Sequence, residues 1–172
     1  DRDAGVRVRR RVDDDEPDAR AAGLLDAVDE RAFVVRLERL DLRPRRATEV
    51  REKAYAPYSR YHVGAALLAE DGRIFVGANV ENASYGLCQC AERSAIGSAV
   101  AAGARRILAL AVVTQGEEPG TPCGMCRQVL SEFPPSFPIR CATTSGAVLD
   151  TDVASLLPHA FGPGHLGGSE ST

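Results

Sequence analysis

A continuous apolar run from Ile107 to Val113 restricts the fold of this chain more than any other feature. Because no polar residue alternates with the apolar ones, the run is typical of a strand that is buried on both faces. A strand of this kind needs other strands beside it and layers of structure above and below it. The run therefore predicts the central part of a sheet.

Two further apolar runs, 63–68 and 74–78, precede this strand and are joined through Glu70-Asp71-Gly72. An Asp-Gly pair between such runs predicts a β-hairpin. Small and apolar residues over 90–102, followed by Gly103, predict a helix that ends at the glycine.

The part of the chain that follows continues the alternation of helix and strand. Cys126, Val129, Leu130 and Phe133 are spaced as one face of a helix that stops at Pro134-Pro135. The remaining predicted elements are short helices over 47–54 and 153–157 and a strand over 137–142. Alternation of this kind predicts an α/β fold.

The chain has 172 residues, which is enough for one ordinary domain. We place that domain at residues 47–166, after an extension (1–46) that we expect to be largely disordered or partly helical, and before a flexible tail (167–172). The only methionine is Met125, so we expect the chain to be a fragment or a trimmed product.

The charge balance indicates the kind of ligand. Lys+Arg number 21 and Asp+Glu 24, a net charge of -3, which gives no sign of a basic face for nucleic acid and favours a small molecule. Because no apolar stretch has the length of a membrane span or the form of a signal core, we expect no membrane association and a soluble, cytoplasmic protein.

The 5 cysteines indicate a metal or redox site. Their odd number and local clustering do not resemble a secreted disulfide framework. They stand at Cys88, Cys90, Cys123, Cys126 and Cys141.

Three of these cysteines lie at predicted helix starts, Cys90 on one helix and the C-x-x-C pair Cys123 and Cys126 on the next. A helix start favours thiolate over thiol. A catalytic zinc ion usually has three protein ligands, and these three cysteines would supply that number. Two alternatives remain open. The C-x-x-C pair is a redox or structural motif in many proteins, and Cys88 could complete a closed site of four thiolates.

Two charged residues follow Cys90 directly. Glu92 is a candidate for the group that takes a proton from an attacking water and hands it to a leaving group. Arg93 could donate hydrogen bonds to the sulfurs and so offset the negative charge of three thiolates, although it could also be a simple surface arginine.

Cys-Ala-Glu followed by Pro-Cys-x-x-Cys is the signature of zinc deaminases, with cysteine in place of histidine. From Ala54 to about Leu166 the chain resembles the small homotetrameric zinc-dependent cytidine deaminases. The stretches that carry the resemblance are Ala54–Ser59, Val63–Leu68, Asn79–Tyr85, Cys90–Arg93, Pro122–Gln128, Leu156–Pro158 and Ala160–Pro163.

The resemblance implies a three-layer α/β/α sandwich around a mixed sheet of about five strands. It implies Zn²⁺ on the three cysteines, hydrolytic deamination of cytidine and deoxycytidine in pyrimidine salvage, and a homotetramer with shared active sites. It further implies that Asn79 and Glu81 bind the sugar hydroxyls and that the Ala91 N–H binds the base carbonyl. The residues implied to reach a neighbouring subunit's site are Ala83, Tyr85 and Phe161.

The chain departs from the family before Val63. The family usually has Phe-Pro where this chain has Tyr61-His62. The matching phenylalanine packs near the nucleoside, so Tyr61 brings a hydroxyl to a place that is usually apolar.

Three other functions compete with this one. Tyr61 motivates the deamination of a modified cytosine nucleoside such as an antibiotic. A non-catalytic structural zinc module would make Glu92 dispensable. Editing of a polynucleotide is disfavoured by the charge balance and by the sugar-binding residues, which would crowd a continuing strand.

Overall fold

The computed structural model describes residues 43–166. The extension (1–42 of the expected 1–46) and the tail 167–172 lie outside the described residues. Helix α1 (Arg43–Arg51) already begins four residues before the expected domain start at Ala47. The domain limits themselves stay a prediction.

Five strands form one mixed sheet, which agrees with the expected fold class. They are β1 (Gly64–Ala69), β2 (Ile74–Ala78), β3 (Ile107–Thr114), β4 (Pro138–Thr143) and β5 (Val148–Asp152). The order across the sheet is β2-β1-β3-β4-β5. β3 and β4 are parallel, and the other neighbouring pairs are antiparallel.

Helices cover the sheet on both faces, which confirms the three-layer arrangement. Besides α1, these helices are α2 (Ala91–Ala101), α3 (Gly124–Ser131) and α4 (Val153–Leu156). Gly64 of β1 faces α1 at Ala47, whereas Gly77 of β2 faces α2 at Ala91. Gly64 pairs with Ala78 and Gly77 with Ala65, and neighbouring strand residues point to opposite faces, so α1 and α2 lie on opposite sides.

The larger core lies between the sheet and α2, α3 and α4. It contains Leu67, Leu110, Leu130 and Ile139, each with no exposed surface. All eight residues of β3 are buried, as the apolar run predicted. At one end of the sheet β1 begins and β2 and β3 end, because Gly64 is paired with both Ala78 and Val113.

Helix α2 lies unusually close to the sheet at Gly77. A Cβ atom there would lie 2.3 Å from the Ala91 carbonyl oxygen and 2.4 Å from the Ala95 nitrogen. Both are backbone atoms of a packed helix, so neither can move away without moving the helix. Glycine at this position therefore lets the first turn of α2 sit directly on the end of β2.

The predicted hairpin, the buried strand and the two long helices are confirmed within one to a few residues. Four of the five strands agree with the apolar runs of the sequence, whereas β5 was not predicted. Val148, Leu149 and Asp150 of β5 are exposed, and the strand begins after the tight turn at Gly146, so its apolar content is too low for a burial pattern to reveal it.

In the part of the chain from 43 to 166, no helix combines the length and the apolar content that crossing a membrane requires.

Gly77→Ala should lower the free energy of unfolding by about 2 to 3 kcal/mol, because the added methyl group overlaps helix backbone. Gly97→Ala is the control, because Gly97 lies on α2, the helix that Gly77 contacts, and a Cβ atom there meets nothing within 4 Å. The control should gain about 0.5 to 1 kcal/mol from its better helix propensity. Urea unfolding of the two variants measures both changes, and equal stabilities would contradict the close approach of α2.

Candidate active site

Three cysteine sulfurs meet where helices α2 and α3 begin. Cys90 directly precedes α2, Cys123 directly precedes α3, and Cys126 is buried in the first turn of α3. The ligand atoms of these three residues all lie within 4.8 Å of one another. The Sγ atoms of Cys90 and Cys123 are 3.8 Å apart.

This spacing fits zinc. Two sulfurs that each lie about 2.3 Å from one tetrahedral zinc ion are about 3.8 Å apart, which is the distance between Cys90 and Cys123. Three thiolates also leave one coordination position for water, as catalytic zinc sites do. The residues present therefore fit a catalytic zinc ion.

Cys88 and Cys141 lie outside this cluster of three. The Cys88 sulfur instead bonds to the backbone of Asn82, 3.3 Å from its nitrogen and 3.6 Å from its oxygen. Cys141 is fully buried in β4, and burial raises the pKa of its thiol to about 12. This geometry supports the open site over the closed four-thiolate alternative.

Negative charge on the Cys90 sulfur opposes ionisation of the Cys126 thiol. Hydrogen bonds from the Cys126 thiol first, and from Arg93 and Cys123, lower the pKa of Cys90 to about 5. The pKa of Cys126 is raised, because its thiol bonds to the Cys90 sulfur and because burial and the charge of Glu92 disfavour a second anion. A divalent cation would reverse this preference, since thiolates are the form that binds metal.

Arg93 supplies positive charge beside the cluster. Its Nη2 atom donates to the Cys88 carbonyl oxygen at 2.8 Å and to the Cys90 sulfur at 3.5 Å. The hydrogen bond to Cys90 raises the pKa of the guanidinium, so Arg93 stays charged. These contacts agree with the expected role of offsetting thiolate charge, and they argue against a simple surface arginine.

Glu92 is buried in the first turn of α2, with 4 % of its surface exposed. Burial is the largest cause that raises the pKa of its carboxyl group, and the negative charge of Cys90 adds to it. The Glu92 backbone N–H, the Cys126 thiol and Arg93 act in the opposite direction. Glu92 can therefore hold or release a proton more readily near neutral pH than an exposed carboxyl group.

A cavity of about 300 Å³ opens beside the cluster. It contains most of the expected site residues, which reach it from the start of β1, the end of β2 and the starts of α2 and α3. Those in its wall are Tyr61, Asn79, Glu81, Cys90, Ala91, Glu92 and Cys123.

Asn79 and Glu81 both hold the segment that precedes β1. The Asn79 side chain accepts from the Val63 N–H at 2.8 Å and donates to the Tyr61 carbonyl at 2.8 Å. The Glu81 carboxylate accepts from the backbone N–H of Tyr58 at 2.9 Å and from the N–H and the hydroxyl of Ser59.

The Ser59 hydroxyl is the main cause that lowers the pKa of Glu81, so this carboxylate is ionised. Each side chain keeps donor or acceptor capacity for a ligand, since an amide nitrogen has two hydrogens and each oxygen two lone pairs.

The structure does not bring Ala83 and Phe161 into the cavity wall. Phe161 is 56 % exposed and stacks on His165 with ring centroids 5.2 Å apart. Tyr85 is 74 % exposed and packs edge-to-face on Tyr58. Tyr85 lines a second depression, which adjoins the cavity at Ser59, Glu81 and Cys88. Contact of these residues with a neighbouring subunit stays a prediction.

Sequence reasoning missed several residues of the site. Thr114, Gly120 and Thr121 line the cavity and carry no motif that marks them. Arg127 was seen only as part of a matching stretch, yet it ties the cysteine loop to the C-terminal segment. Its guanidinium donates to Pro122 O at 2.7 Å, Thr121 Oγ1 at 3.0 Å and Leu156 O at 3.1 Å.

The fold and the three-sulfur cluster define a zinc enzyme of the α/β class. Residues 38–137 match the family model described as the cytidine and deoxycytidylate deaminase zinc-binding region. A cytidine deaminase from Sporosarcina psychrophila is 52 % identical over 114 residues, which are 66 % of this chain and 84 % of that protein. One from Halalkalibacterium halodurans is 48 % identical over 116 residues, 67 % of this chain and 88 % of that protein.

The crystal structure of cytidine deaminase from Burkholderia pseudomallei is similar to this chain with a TM-score of 0.65 and 52 % sequence identity. The match covers 67 % of this chain and 93 % of that one. The chain belongs to the family of zinc-binding cytidine and deoxycytidylate deaminases. The resemblance stated from the motifs is thereby confirmed, and so is zinc as the cofactor.

Cys123→Ala should lower the zinc content of the purified protein well below one ion per chain and should lower its melting temperature, because metal binding and folding are coupled. Cys88→Ala is the control and should keep full zinc, since its sulfur lies outside the cluster. Elemental analysis of both variants measures the result. If Cys123→Ala kept its full zinc content and Cys88→Ala lost zinc, Cys88 and not Cys123 would be the zinc ligand.

Proposed function

We propose that this enzyme deaminates cytidine and deoxycytidine hydrolytically in pyrimidine salvage, forming uridine and deoxyuridine and releasing ammonia. The observation that carries the proposal is a buried carboxyl group, Glu92, beside three clustered sulfurs in a cavity that the side chains of Asn79 and Glu81 also line. Hydrolysis of an aromatic amine needs a nucleophilic water and a group that moves its proton. The cavity combines both requirements.

Cys90, Cys123 and Cys126 would hold the zinc ion. When bound, zinc would lower the pKa of a water molecule, so that this water loses a proton readily and can act as a nucleophile at neutral pH. Glu92 accepts one proton of this water while the water oxygen bonds to the carbon that carries the amino group, and it delivers the proton to the neighbouring ring nitrogen. Glu92 then moves the remaining proton of the attached hydroxyl group to the amino group. The bond between the carbon and the amino nitrogen breaks, ammonia leaves, and the oxygen stays as the new carbonyl group. The raised pKa of Glu92 suits a group that must both accept and donate.

The nucleoside is held from both ends of the cavity. Ala91 is the first residue of α2, so its N–H has no partner within the helix and is available to the base carbonyl. Asn79 and Glu81 hydrogen-bond to the sugar hydroxyls with the capacity that their contacts to the preceding segment leave free. These contacts orient the reacting carbon towards the sulfur cluster.

The sugar side of the cavity favours a free nucleoside over a nucleotide. The depression that adjoins it contains the ionised carboxylate of Glu81. Among the described residues that line this depression, none carries a positive charge; they are Tyr58, Ser59, Glu81, Tyr85 and Cys88. A 5′-phosphate would therefore meet a like charge without a compensating cation.

A second candidate function is deamination of a modified cytosine nucleoside, such as an antibiotic. Tyr61 supports it, because this side chain lines the cavity and brings a hydroxyl to the substrate side. The modification would have to offer a polar group to that hydroxyl. Cytidine and deoxycytidine remain the favoured substrates, because no contact in the cavity requires such a group.

The assembly is proposed to be a homotetramer with shared active sites. Large apolar side chains are exposed around the second depression and the cysteine loop, and such patches mark protein interfaces. They are Tyr58, Tyr85, Leu87 and Met125. Light scattering from the purified protein would give a monomer mass if this proposal is wrong.

A cytoplasmic location is proposed as well. The three clustered cysteines serve as metal ligands only while they are reduced, and the cytoplasm keeps thiols reduced.

Glu92→Gln should keep its zinc and lose most of its turnover of cytidine, by about a hundredfold or more, because glutamine cannot carry the proton. Ammonia release and zinc content are measured on the same preparation. A normal rate in a zinc-loaded variant would remove Glu92 from the mechanism and favour a structural zinc module. Wild-type protein without ammonia release from cytidine would contradict the proposed substrate.

Cytidine and deoxycytidine should both be turned over, and cytidine 5′-monophosphate should have a kcat/KM lower by about a hundredfold or more, owing to Glu81. The same assay should include a cytosine nucleoside antibiotic. Faster turnover of the antibiotic than of cytidine would favour the second candidate function. Equal turnover of the nucleotide would contradict the charge argument.

A further inference from the structure

The loop before the cysteine pair passes very close to Tyr61 at Gly120. A Cβ atom at Gly120 would lie 2.9 Å from the Tyr61 hydroxyl oxygen and 3.0 Å from Cγ2 of Thr114. Both distances are shorter than normal contacts of a carbon atom. Gly120, Tyr61 and Thr114 all line the cavity beside the sulfur cluster, so any adjustment here changes the shape of the substrate site.

The backbone on both sides of this contact is anchored. The Tyr61 N–H donates to the Ser59 hydroxyl at 2.9 Å, and its carbonyl accepts from Asn79 at 2.8 Å. The Gly120 N–H donates to the Thr114 hydroxyl at 3.2 Å. Thr114 ends strand β3 and is only 3 % exposed, so it has little room to move. The movable partner is therefore the ring of Tyr61, which is 39 % exposed.

We propose that Gly120 is a positioning residue for the nucleoside site. Its missing side chain leaves the space that the Tyr61 hydroxyl occupies, and the aromatic ring consequently lies against the cavity wall. A side chain at position 120 would push the ring away from the wall and change the volume available to the nucleoside. The inference rests on the proposed function only in taking a nucleoside as the ligand.

Gly120 and Tyr61 are thus a matched pair. A phenylalanine at position 61 would withdraw the outermost atom of the side chain, because the atom nearest to the added Cβ is the hydroxyl oxygen itself. A methyl group at position 120 would then fit with little movement of the ring. The harm done by Gly120→Ala should depend on the hydroxyl of Tyr61, which a general weakening of the loop would not explain.

The test is a double-mutant cycle of Gly120→Ala and Tyr61→Phe, with steady-state kinetics on cytidine and zinc analysis of each protein. Gly120→Ala should raise KM by about tenfold or more with a smaller change in kcat, because displacement of a group that positions the substrate weakens binding. Tyr61→Phe alone should have a small effect. The double variant should return to within about threefold of Tyr61→Phe, since the two changes interact directly.

Gly97→Ala is the control for a glycine substitution in open space and should leave KM unchanged. Melting temperatures of the four proteins in the cycle give a readout that needs no substrate. Gly120→Ala should lower the melting temperature more in the wild-type protein than in the Tyr61→Phe variant.

If Tyr61→Phe rescues neither KM nor melting temperature, the inference is overturned, and contact with Thr114 explains the defect. If the melting temperatures are coupled but no protein in the cycle turns over cytidine, the pairing stands and the proposed substrate fails.

Discussion

Three sulfur atoms from two helix starts are the constraint on which the rest of the active site depends. Cys90 and the Cys123–Cys126 pair meet because β2 and β3, which precede α2 and α3, end at the same end of the sheet. Crowded thiols resist full deprotonation, as the opposite pKa shifts of Cys90 and Cys126 indicate. A zinc ion removes this conflict, and Arg93 reduces the negative charge that remains. Metal binding and the packing of the two helices therefore support each other.

The same helix start places Glu92, the proposed proton-transfer group. Glu92 can be buried in the first turn of α2 because the helix start and the neighbouring arginine compensate part of its charge. Gly77 lets this turn rest directly on the sheet, so the carboxyl group faces the sulfur cluster and not solvent. A raised pKa and a fixed position then follow from packing, and both are what proton transfer at neutral pH requires.

On the opposite wall of the cavity, the residues that we propose to bind the sugar also build the site. Asn79 and Glu81 hold the backbone of the segment from Tyr58 to Val63, and through it they set where Tyr61 stands. Glu81 anchors that segment and carries a negative charge beside the cavity. Loss of either side chain would therefore disturb the shape of the site as well as the sugar contacts that we propose for it.

The sequence by itself determined the features that depend on near neighbours along the chain. Several features are local patterns: the buried strand, the Asp-Gly hairpin, the helix starts and the types of residue able to bind zinc and move protons. The motif Cys-Ala-Glu with Pro-Cys-x-x-Cys is specific enough to indicate the family.

Only the tertiary structure decided which cysteines share a site, since Cys88 is close to Cys90 in sequence yet turns to the backbone of Asn82. It also decided that an exposed edge strand completes the sheet and that Gly120 lies against Tyr61. Cys90 and Cys123, like Tyr61 and Gly120, are far apart in the chain. Their distances depend on strand register and on how close a helix can approach a sheet, which no local pattern encodes.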